Sequence, residues 1–274
     1  MRIQRYLRLP LSCLRDIVGK KSLGVCGGRN SKTITIDPLG DCFLAGYSAP
    51  DDYGWGALHN SLRDAIHARG RHAGLAAAAE KGRRVREDGT ESNCRPGDVK
   101  IPGAHGFEPA HGRVLADIVV TIVVCATHRD NGAITRGAAA VAATQAKHRK
   151  VSREQSVSKD DYFLPLAFES EGYSVHAVRT LLFGFAKHRM FHDGFAEDSY
   201  LTHRTHGNCM DAIANAHARG LARCLLERGM SNYFAHTGCN RTFLSSDTSD
   251  SSDSARTKRR RVGDHGGANG RVLA

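Results

Sequence analysis

At 274 residues, 41% of them apolar and 29 of them glycine, the chain is long enough to bury a core in one or two domains, with loose ends around it. A net charge of +11 favours DNA or RNA as the partner over an acidic small molecule. No apolar run reaches the roughly 18 residues of a membrane span, and eight cysteines without C-x-x-C spacing exclude a disulfide scaffold, so no membrane and a reducing compartment are expected.

Residues 1–23 are basic and mixed, and a short helix is expected there. Their one apolar stretch, 9–14, is too short for a signal peptide, which makes the expected location intracellular, nuclear or cytoplasmic. Glycine and proline punctuate 24–56, so 1–56 reads as a basic, turn-rich N-terminal segment. A helix is expected over 58–68: Leu58, Leu62, Ala65 and Ile66 form an apolar stripe, and Asn60, Arg63, Asp64 and His67 face away. Residues 80–94 are charged and aperiodic, hence a loop. A short strand follows at 98–101. A Gly-, Pro- and His-rich connection leads to a β-branched strand at 113–124.

The alanine-rich stretch 136–149 predicts a helix, with Lys147, His148, Arg149 and Lys150 at the end where cations suit the helix dipole. A strand at 162–168 and a helix at 174–187 come next. Residues 188–208 read as irregular, and 210–228 as a last helix. The Ser/Asp tract, the basic run 258–261 and the Gly-rich end make 231–274 a disordered tail. The order over 57–230 predicts an α/β domain with a mixed central sheet flanked by helices.

Asp117 stands inside the apolar strand. An ionised carboxylate there is costly unless it is paired or neutralised. Two readings are open. Asp117 and Asp98, on what look like neighbouring antiparallel strands, share a magnesium ion, which takes hard oxygen ligands. Alternatively, Asp98 caps a turn and Asp117 pairs with Arg95 or Arg113.

Several stretches together resemble a known family. They are Arg95-Pro96-Gly97-Asp98-Val99, Asp117-Ile118-Val119-Val120-Thr121, the alanine-rich helix ending in Lys147, Phe163-Leu164-Pro165, and Glu169-Ser170-Glu171-Gly172. This series resembles the C-terminal region of non-LTR retrotransposon reverse-transcriptase polyproteins, which carries a restriction-endonuclease-like domain of the PD-(D/E)XK type. Cys26-Gly27, the segment ending in Asp41-Cys42, and His59-Asn60-Ser61 resemble the Cys/His knuckle that precedes it. The resemblance implies Mg²⁺-dependent phosphodiester cleavage, with Asp98 and Asp117 as metal ligands and Lys147 beside the attacking water. Glu169 is similar to a further acid of the family; it either caps the next helix or lies near the metal.

The sequence departs from the family pattern at Val119, where a lysine is expected, and at Thr144, where an acid would precede Lys147. The knuckle is degenerate: Cys26, Cys42 and His59 are three ligands where structural zinc takes four, so zinc is not expected. Glu80 is a further candidate acid, and Arg95, Arg149 and Lys150 are candidate nucleic-acid contacts. The spacing of His203, His206 and Cys209 also suits a metal. Two other readings stand beside the nuclease: a non-catalytic remnant that binds nucleic acid by charge, and an unrelated basic α/β protein.

Overall fold

A computed structural model describes residues 15–16, 18–23, 33–38, 55–79, 97–103, 112–123, 135–154, 157 and 161–237. Strands β1 (Lys21–Leu23) and β2 (Thr33–Thr35) pair antiparallel as a small two-stranded sheet. Helix α1 (Trp55–His72) leads into strands β3 (Ala78–Ala79), β4 (Val99–Pro102) and β5 (Arg113–Thr121). Helix α2 (Ala138–Glu154), strand β6 (Asp161–Glu169), and helices α3 (His176–His192) and α4 (Tyr200–Thr237) complete the described chain.

The main sheet runs β3-β4-β5-β6. The first three strands are antiparallel neighbours, and β6 joins parallel to β5. A parallel pair needs a crossover, and α2 supplies it. The expectation of a mixed sheet flanked by helices is borne out. Strand β6 is an edge, which is where a proline is tolerated, and Pro165 sits there directly opposite Asp117.

Side chains alternate across β5 and split the apolar residues between two faces. Val114, Ala116 and Ile118 join Leu58, Leu62 and Ile66 of α1 and Leu181, Leu182 and Phe185 of α3 in the main core. Each fully buried Leu, Ile or Phe there contributes about 1.5–3 kcal/mol. On the other face Leu115 and Phe163 pack against Val151 of α2. The acid at 117 therefore lies on the α2 side, one residue out of phase with the core. Helix α4 packs against α1 at Gly220, where an added Cβ would lie 2.8 Å from the Leu58 Cα.

Four expectations change. Residues 21–23 form a strand, and β-branched Thr33-Ile34-Thr35 provides its partner in a stretch that reads as turns; the adjoining Ile36 is buried in the main core. The strand expected over 113–124 stops at Thr121. Residues 188–208 are mostly helical, because α3 continues to His192 and α4 begins at Tyr200. Gly194, at φ 79°, ends α3, with the Phe195 N–H on the Met190 carbonyl at 2.8 Å. Ser199 starts α4: its Oγ accepts the Thr202 N–H at 3.3 Å. Helix α4 also continues to Thr237, seven residues into the expected tail.

Candidate active site

The sheet brings Asp98 and Asp117 together. Val99 pairs with Ala116, so Asp98, one residue before β4, falls opposite Asp117, and the Asp98 N–H donates to the Ala116 carbonyl at 2.8 Å. Asp98 Oδ2 accepts two hydrogen bonds, from the Ile118 N–H at 2.8 Å and from His59 Nε2 at 3.0 Å. Lys147 reaches in from α2, its Nζ 2.9 Å from Asp117 Oδ2. This buried oxygen thus has the Lys147 ammonium as its ion-pair partner. His59, Asp98, Asp117 and Lys147 thus form one alternating charge cluster from α1, the start of β4, β5 and α2.

Its electrostatics are divided. Burial pushes the Asp117 carboxyl above its ordinary range, and the Asp98 charge adds to this; the Lys147 ammonium opposes both without cancelling them. Burial also acts on Asp98, but there the His59 hydrogen bond and charge, the Ile118 N–H and Lys147 outweigh it and hold the carboxyl below its ordinary value. For His59 burial is likewise the largest single influence and lowers it, yet Asp98, Asn60 and Asp117 together raise it above 6.5.

The other candidates lie apart. Glu169 is buried at the far end of β6, and its Oε1 accepts the Ala140 N–H at 3.2 Å, so it caps the preceding helix, α2, rather than the next one. It stands four residues beyond Pro165, the partner of Asp117, or about 13 Å along the strand. Arg113 does not serve Asp117. It forms a two-pronged pair with Asp161, directly across the parallel ladder, at 2.5 and 3.0 Å. Thr144 bonds back to the Ala140 carbonyl at 2.9 Å within α2. Arg149 and Lys150 are exposed on α2 beyond Lys147. His203 and His206 lie on α4 with their rings against Phe183, and Cys209 is buried. Glu80, Arg95, Cys26 and Cys42 lie outside the described residues.

His59 is the site residue that sequence reasoning misplaced. It follows Leu58, the first residue of the apolar stripe, and so falls beside that stripe. A boundary position of this kind puts a polar tip at the rim of a core, which was the available signal.

Two carboxylates suit magnesium, which takes one or two from a protein and keeps several waters. The buried Asp117 carboxylate and the adjoining Asp98 fit that role. Among the described residues no group of three or more His, Cys, Asp or Glu is arranged to hold a metal, so an ion here rests on the two aspartates and water.

Compared with family models, curated proteins and solved structures, the chain gives no match.

Proposed function

We propose that this chain is a retroelement-derived, restriction-endonuclease-like domain that binds nucleic acid and cleaves its phosphodiester bonds with magnesium. The observation that carries the reading is the meeting of Asp98, Asp117 and Lys147. They come from two adjoining strands and the helix that crosses to the next strand, and they are 49 residues apart from first to last. The sequence series that resembles the family supports the same reading.

Asp98 and Asp117 would hold the ion, which when bound polarises the phosphate and lowers the pKa of an attacking water. The protein's own part is positioning and charge. The Ile118 N–H and His59 fix one oxygen of Asp98. Lys147 is 38% exposed, so its ammonium can meet a phosphate oxygen at the surface while its stem stays on α2. Exposed Arg149 and Lys150, close by on the same helix, extend the positive charge.

Incubating the full chain with supercoiled plasmid and with structured RNA, with Mg²⁺ or EDTA, tests this. Wild type should nick or cut in Mg²⁺ alone. Asp117→Asn should lose at least about a hundredfold, the scale of removing one group that stabilises a transition state. A wild type inert on both substrates at low salt, or an equally active mutant, sinks the catalytic reading. The second reading, a non-catalytic domain that binds by charge, is favoured by one feature: each aspartate already has a partner within the protein.

A further inference from the structure

His59 does nothing in the nuclease reading as it comes from the sequence, yet its Nε2 lies 3.0 Å from Asp98 Oδ2. We infer that His59 is a positioning residue for Asp98: it fixes which carboxylate oxygen faces the ion and so sets the affinity of the site for divalent metal. The inference rests on the metal reading proposed above and deepens it.

The geometry is specific. Asp98 Oδ2 receives both the His59 Nε2 contact, at 3.0 Å, and the Ile118 N–H, at 2.8 Å. Two donors from different elements, a helix and the neighbouring strand, converge on one oxygen and leave Oδ1 as the oxygen that can bind an ion. A carboxylate held this way presents a single oxygen in a fixed direction, which suits the near-ideal geometry that magnesium demands.

His59 is itself held: Leu58 and Leu62, on either side of it along α1, are completely buried. The backbone at Leu58 is in close approach to Gly220 of α4, so α1 cannot slide without disturbing that contact. Support thus runs from α4 through α1 to His59 and then to Asp98, two layers behind the reacting groups.

Isothermal titration of the full chain with Mg²⁺ and with Mn²⁺ tests the inference without any need for turnover, using wild type, His59→Ala and His59→Gln. Outer partners of metal ligands are worth about 10–100-fold in metal affinity. His59→Ala should weaken ion binding on that scale, while its melting in EDTA stays cooperative. His59→Gln keeps an N–H donor and should recover most of the affinity. Where wild type cleaves, kcat of His59→Ala should fall with KM for the nucleic acid unchanged. Equal affinity in wild type and His59→Ala overturns this inference and leaves the metal reading intact. Equal loss in both variants also overturns it, because a donor at this position would then not be what matters. A wild type that binds neither ion overturns both proposals.

Discussion

Asp117 carries a burden that the fold does not fully relieve. Its side chain is 8% exposed, and its ion-pair partner, Lys147, is itself 38% exposed to water. Because burial raises the folded-state pKa above 3.8, the folded protein holds that proton more readily than the unfolded chain does. Stability therefore falls as pH rises from 3.8 through the folded pKa, and the deficit persists at neutral pH. Asp117→Asn removes the deficit and releases a lysine that water can solvate. In EDTA at pH 7 the mutant should melt higher, by about 2–4 °C for each kcal/mol relieved. The gain should vanish below the ordinary carboxylate pKa, where both proteins are neutral at this position. Thermal melts across pH 3–8 check this, and a mutant that melts lower at pH 7 would mean that the carboxylate is a net stabiliser. Asp98 behaves in the opposite sense. Its pKa is lowered, so its contribution is present above 3.8 and is lost as pH falls through the folded value.

Helix α1 packs against α4, and Gly220 is a point of close approach. A methyl group there would meet the Leu58 backbone at 2.8 Å and Leu58 Cδ1 at 3.0 Å. Gly220→Ala should cost about 1–3 kcal/mol by overpacking, even though alanine is the better helix former. Urea melts would show it, and an unchanged midpoint would mean that the helices part without penalty. Contacts of this kind explain which elements the sequence disclosed. Helices α2 and α3 and strand β5 are legible because their periodicity or β-branching is local. The α3–α4 junction was not, because the histidines and glycine around it hide two ordinary punctuation marks, Gly194 and Ser199. Asp98 and Asp117 stood out as acids near apolar strands. The roles of His59 and Glu169 did not, since each depends on a partner 29 or more residues away that only the assembled sheet brings near.

The whole chain carries +11, and exposed Arg149, Lys150 and Arg153 concentrate positive charge along α2. Affinity for duplex DNA or RNA should be insensitive to sequence and should fall steeply with salt, by about 0.9 log unit per log unit of salt for each phosphate neutralised on B-DNA. Arg149→Ala and Lys150→Ala should each lower that slope by about one while leaving the melting temperature unchanged. Titrations of labelled duplex at several salt concentrations measure it, and a slope near zero would rule out charge as the source of binding. The crossover through α2 has a further consequence, for synthesis. When the ribosome has passed Glu154, the nascent chain already contains His59, Asp98, Asp117 and Lys147. It still lacks β6, and with it the Glu169 carboxylate at the start of α2, the Phe163 side chain beside Leu115 and Val151, and the Asp161 partner of Arg113. Non-local parallel pairing of this kind is a late event in folding. The chemistry-bearing residues are therefore all made before the strand that anchors the helix carrying Lys147.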